Sequence, residues 1–112
     1  MVNDSAIVAN NAKNANVINN FVELSGNTKN GISLTGCDSS TVSCNTVIGR
    51  YPAVNYQNRG IYGSMNQKCY ISCNITDSLY KGVHFSSSNI ATKFRGNEMK
   101  KHYIGLYLDN TA

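Results

Sequence analysis

A short motif returns through the whole chain. Glycine, or alanine in the first copy, precedes an aliphatic residue at Ala6-Ile7, Gly31-Ile32, Gly60-Ile61, Gly82-Val83 and Gly105-Leu106, so successive units begin 25, 29, 22 and 23 residues apart. An asparagine follows in each of the first four copies, at Asn20, Asn45, Asn74 and Asn97, fourteen residues on in three units and fifteen in the fourth. Repetition at roughly 20 to 30 residues marks a stacked, quasi-one-dimensional architecture, in which each unit buries its apolar side only against its neighbours.

Within a unit the apolar positions alternate. Copy two runs Ile32 and Leu34, then Val42, then Val47, and copy one runs Ile7 and Ala9, Val17, Val22. Copy three runs Ile61 and Gly63, Ile71, and then Ile75 or Thr76; copy four runs Val83 and Phe85, Phe94, Met99. A period of two is the signature of short strands and not of helices. Three short strands per unit, joined by turns rich in Asn, Ser and Gly, predict an all-β chain wound as a right-handed parallel β-helix of about four and a half coils, with stacked strands about 4.8 Å apart. The extra residue after Ser88 in the fourth copy is expected to be absorbed in a turn. The fifth copy begins Leu106, Leu108 and is cut off at Ala112. Neither end reads as a polar cap, so residues 1–112 are expected to form one uncapped segment that belongs to a longer solenoid, with further coils, or associates end to end.

The recurrent asparagines suit the bends. Asn tolerates the left-handed backbone that a sharp strand-to-strand bend needs, and its amide can hydrogen-bond its counterpart one coil away. Asn20, Asn45, Asn74 and Asn97 are therefore expected to form a structural ladder. Cys44 and Cys73 each stand thirteen residues after their unit's glycine, which makes them neighbours in adjacent coils, expected to point inward; Cys37 and Cys69 fall at offsets six and nine. Two readings stay open for these thiols: small buried hydrophobes stacked along the core, or a disulfide between Cys44 and Cys73, which neighbours about 4.8 Å apart permit. A zinc site would need closely paired ligands, and only Cys69 and Cys73 approach that spacing, so no metal and no cofactor is expected.

The pattern Gly31-Ile32-Ser33-Leu34, Val42, Cys44-Asn45, Val47, with its echoes downstream, resembles the β-helix repeats of the pectin-lyase-like superfamily. In texture it is similar to the repeat-rich extracellular proteins described as NosD-like. The resemblance spans essentially the whole chain and implies the fold. For function it implies only a range, from polysaccharide lyases, glycoside hydrolases and epimerases to tailspikes, adhesins and noncatalytic scaffolds.

Function then rests on the outward positions. Two residues after each glycine the column reads Val8, Ser33, Tyr62, His84 and Tyr107, and two further on it reads Asn10, Thr35, Ser64, Ser86 and Asp109. Rings beside hydrogen-bonding groups suit a sugar, whose flat apolar faces stack while its hydroxyls need polar partners. Aromatic residues also favour strands and stack along a solenoid without any ligand. The second unit carries the longest connection, thirteen steps from Val47 to Gly60 against six from Thr76 to Gly82 and from Met99 to Gly105. This loop, residues 48–59, is expected to wall a groove with Arg50, Tyr51, Tyr56 and Arg59. With a net charge of +4, Arg59, Lys81, Lys100, Lys101 and His102 beside the column favour an anionic polysaccharide over a neutral one. Ten basic residues against six acidic, spread over all coils and without a nucleic-acid motif, argue against nucleic acid.

Catalysis finds little support. The acids Asp4, Glu23, Asp38, Asp77, Glu98 and Asp109 stand at different offsets, so no pair is expected to flank a scissile bond and no set to converge on calcium. His84 is expected to lie on the surface without an orienting carboxylate, and no catalytic residue is assigned. If the parent protein is a lyase or hydrolase, its reacting groups are expected mainly outside this segment. No secretory signal or membrane-inserting stretch stands in the chain. Its Asn, Ser and Thr content with only 14% charged residues suits a secreted or cell-surface protein. The expectation is an extracellular β-helix scaffold that contacts carbohydrate.

Overall fold

The computed structural model describes residues 5–24, 29–49 and 58–109. Three strands recur in each coil. In chain order they are β1 (Ser5–Asn10), β2 (Asn16–Ile18) and β3 (Phe21–Glu23), then β4 (Asn30–Thr35), β5 (Thr41–Ser43) and β6 (Thr46–Ile48). The third and fourth coils hold β7 (Arg59–Gln67), β8 (Tyr70–Ser72) and β9 (Ile75–Asp77), then β10 (Lys81–Ile90), β11 (Lys93–Arg95) and β12 (Glu98–Lys100), and β13 (Ile104–Asp109) opens a fifth. They stack as three parallel sheets, β1-β4-β7-β10-β13, β2-β5-β8-β11 and β3-β6-β9-β12. The chain is a parallel β-helix of about four coils. No helix among the described residues is long and apolar enough to cross a membrane.

Equal offsets become physical neighbours. Ile7, Ile32, Ile61, Val83 and Leu106 are in register across the first sheet. Val17, Val42, Ile71 and Phe94 align across the second, and Val22, Val47, Thr76 and Met99 across the third. Ile32, Leu34, Val42, Val47, Ile61, Ile71 and Val83 have no exposed surface, and burying each such side chain stabilises the fold by roughly 1.5–3 kcal/mol. In the third coil Thr76, not Ile75, takes the inward position.

The bends repeat as faithfully as the strands. Left-handed backbone falls in columns: Asn11 and Gly36 just after β1 and β4 with Met65 and Ser87 at the equivalent places inside β7 and β10, and Asn14, Ser39, Lys68 and Ala91 ahead of the second sheet. Asn19, Cys44, Cys73 and Gly96 stand between the second and third sheets, and Ser78 and Lys101 follow the third. The left-handed residue is therefore the one before each ladder asparagine, which corrects the expectation that the asparagine itself makes the bend. Its role is polar plugging. The Oδ1 of Asn74 accepts the backbone N–H and the Nδ2 of Asn45, both at 3.0 Å, and Asn74 repeats this with Asn97 at 2.9 Å. Asn20 bonds Asn45 in the same way. The Nδ2 groups of Asn45, Asn74 and Asn97 also donate to the carbonyls of Val17, Val42 and Ile71, so the buried amides of Asn45 and Asn74 are satisfied by backbone.

The extra residue of the fourth coil sits elsewhere than expected. Pairing of β10 with β7 shifts between Ser86 and Asn89, with Ser87 at a φ of 61°. It is a bulge within the strand and not an insertion in the turn after Ser88.

Glycine opens the second, third and fourth coils for want of space. A Cβ on Gly60 would lie 2.5 Å from the Gly82 carbonyl oxygen and 2.7 Å from Thr76 Cγ2. The first strand turns the corner too close to the next coil and to the third sheet's interior to carry a side chain.

Candidate functional site

The outward positions of the first sheet gather the candidate residues. Arg59 and Lys81 are register partners in β7 and β10. Tyr62, His84 and Tyr107 line up across β7, β10 and β13, and Ser64, Ser86 and Asp109 form the next column. Parallel pairing with constant offsets produces these columns directly from the repeat.

His84 lies between the two tyrosines, edge-on to both, with ring centroids 5.2 Å from Tyr62 and 4.8 Å from Tyr107. The Arg59 guanidinium sits 4.0 Å from the Tyr62 centroid, and Lys81 Nζ sits 4.4 Å from that of Tyr107. A face of each ring is thus covered by the protein's own cation. His84 is only 6% exposed and Ser64 is buried, so neither stands in solvent as the alternation alone predicts. Arg59 reaches over to His84 from the neighbouring column.

A chain of polar contacts crosses the sheet. Asn30 Nδ2 donates to Ser5 Oγ at 3.1 Å, and Arg59 Nε donates to Asn30 Oδ1 at 2.7 Å. Arg59 Nη1 lies 3.1 Å from His84 Nδ1. Guanidinium has no acceptor, so His84 Nδ1 accepts and the neutral ring carries its proton on Nε2. That Nε2 lies 3.9 Å from Asp109 Oδ2, beyond hydrogen-bond range, and is buried without a hydrogen-bond partner. The expectation that His84 lacks a nearby carboxylate is corrected: the next column, one coil on, supplies one. Burial first, then the charges of Arg59 and Lys81, push the His84 pKa below its usual value, with Asp109 pulling the other way. With Nδ1 engaged and Nε2 enclosed, the imidazole holds Arg59 in position and presents neither nitrogen to a ligand.

Other expected residues are distributed differently. Arg50, Tyr51 and Tyr56 lie outside the described residues. His102, expected in a basic margin, turns inward: Nδ1 accepts the Leu79 backbone N–H at 3.1 Å and Nε2 lies 3.0 Å from the Thr76 hydroxyl. Tyr80 and Tyr103 stack with centroids 5.0 Å apart, and Lys81 Nζ lies 5.8 Å from the Tyr80 ring. This second aromatic pair had a sequence signal, since each tyrosine stands two residues before its unit's glycine. A short ladder from Asn66 Nδ2 to Asn89 Oδ1, 3.0 Å, was hidden because the bulge moves Asn89 one place out of offset.

The cysteines divide into two pairs. Cys37 and Cys69 are buried, as small hydrophobes would be, whereas Cys44 and Cys73 are neighbours but exposed. The inward direction expected for the second pair fails because both residues occupy the left-handed bend, where the side chain leaves the core. All four are free thiols. Among the described residues no group of three or more His, Cys, Asp or Glu side chains gathers to hold a metal.

Compared with protein-family models, curated proteins and solved structures, the chain finds no significant match. Strand register alone carries the assignment of the fold.

Proposed function

We propose that the outward face of the first sheet binds an acidic polysaccharide, and that the protein is an extracellular scaffold of the kind the pectin-lyase-like repeat resemblance suggests. The observation that carries this reading is the placement of Arg59 and Lys81, adjacent along the rod and each lying over a tyrosine ring. A cation held over an aromatic face gains roughly 0.5–1 kcal/mol at an exposed site, and its order is established before a ligand arrives. Arg59 is held further by Asn30 and His84. Coils about 4.8 Å apart space the two charges along the axis, so a chain of repeated carboxylate or sulfate groups laid along the rod meets them in turn. Thr35 and Ser86 add hydroxyl partners, while the Asp109 carboxylate repels an anion and confines the attractive stretch to β7 and β10. Two clustered cations suit a sugar acid better than a nucleic acid backbone, whose affinity grows with the number of phosphates neutralised.

Retention on immobilised polygalacturonate and on a neutral glucan tests the reading. The acidic polymer alone should retain the protein, and less so as salt screens the charges. Lys81→Ala combined with Tyr107→Ala should weaken binding by roughly tenfold, equivalent to about 1.4 kcal/mol, with the β-rich circular dichroism unchanged. Equal retention on both polymers, or none on either, rejects it.

A further inference from the structure

At the bend between the second and third sheets, Cys44 and Cys73 occupy the same left-handed position in consecutive coils, with φ of 56° and 62°. Their neighbours fix them side by side. One residue earlier, the hydroxyls of Ser43 and Ser72 are 3.3 Å apart; one residue later, the Asn45 N–H donates to Asn74 Oδ1 at 3.0 Å. The Cys44 N–H itself donates to the Ser72 carbonyl at 3.1 Å. A coil spacing of about 4.8 Å lies within the Cα separation that a disulfide spans, about 4.4–6.8 Å. Nothing in the bend calls for sulfur, since Asn19 and Gly96 hold the same place in the first and fourth coils. Both thiols are exposed to reagents, whereas Cys37 and Cys69 are buried.

The geometry points to a two-thiol redox site on the surface of the β-helix: Cys44 and Cys73 close into a disulfide between the second and third coils when a small disulfide oxidant is present, and reopen with a thiol reductant. Ser43 Oγ donates to Cys44 Sγ at 3.5 Å, a contact for which Cys73 has no counterpart from Ser72; the adjoining Cys73 thiol and Ser43 lower the Cys44 pKa, while Cys44 and burial raise that of Cys73. Cys44 is thus the attacking thiolate. It displaces one thiolate from the oxidant, forming a mixed disulfide, and Cys73, on losing its proton, attacks Cys44 Sγ and expels the second. Two protein thiols and one disulfide oxidant become one protein disulfide and two small thiols, with two electrons passing to the oxidant.

Incubation of the reduced protein with oxidised glutathione, followed by intact mass and peptide mapping, decides the matter. The expected product is two hydrogen atoms lighter, carries no glutathione, links Cys44 to Cys73, and returns to the starting mass with dithiothreitol. Cys73→Ser should trap glutathione on Cys44, and Cys44→Ser should form its adduct on Cys73 more slowly. Separate glutathione adducts on both cysteines of the unaltered protein, or two unreacted thiols, overturn the site. Equal adduct rates in the two variants overturn the assignment of Cys44 as the attacking group. None of these outcomes depends on whether a polysaccharide binds the first sheet.

Discussion

His84 shows how one residue can be placed correctly by its repeat and still be surrounded in a way the repeat does not reveal. Its column, between Tyr62 and Tyr107, follows from the glycine offsets. Its enclosure does not, because it depends on Arg59 reaching from the adjacent column across both Tyr62 and His84. The folded protein therefore keeps the imidazole neutral where an unfolded chain would protonate it. A histidine whose pKa is lowered by folding adds stability above the ordinary value of 6.5, and that stability is lost as the pH falls below it, since the unfolded state then binds more protons. Urea midpoints should drop between about pH 7.5 and about pH 5.5, and His84→Gln should flatten part of that decline. An unchanged slope in the variant would show that the imidazole titrates alike in both states.

At the level of strands and bends, the glycines that open the second, third and fourth coils mark a close approach and not a special dihedral angle. Gly60 and Gly105 hold equivalent positions, yet their surroundings differ. A Cβ on Gly105 would find its nearest neighbour at 4.0 Å, the Met99 Cβ, whereas on Gly60 it would meet the backbone oxygen of Gly82 at 2.5 Å. Gly60→Ala should therefore cost about 1–3 kcal/mol through overpacking, while Gly105→Ala should be close to neutral, as measured by paired denaturation curves. Strand identity and register were readable in the sequence because alternating apolar residues and constant spacing specify both. The ladder asparagines are readable as a column, but the left-handed residue stands one place before each of them. Hydrogen-bonding capacity and backbone tolerance both suit asparagine, but the fold separates the two and gives the bend to Asn19, Cys44, Cys73 and Gly96. The outward direction of Cys44 and Cys73 was lost with the same step.

For the whole molecule, stability is graded along the axis because each coil leans only on the next. The central coils bury Ile32, Val42, Val47, Ile61 and Ile71 completely, whereas Leu106 and Leu108 in β13 are 42% and 59% exposed. Amide hydrogen exchange should accordingly be slowest in β4 to β9 and fastest in β13, and uniform protection along the rod would contradict a nearest-neighbour scheme. The columns have a wider consequence for how such a protein can change in length. Positions are indexed by circuit, so removing one full circuit, from Gly60 through Lys81, would set Gly82 upon Gly31 and leave each face matched to its own kind. Losing a single residue would instead turn the rest of that strand's side chains to the wrong face, unless a local pucker such as the one at Ser87 took up the difference. Genetic growth and shrinkage should therefore proceed by whole circuits, with the outward row of the first sheet lengthening or shortening in step.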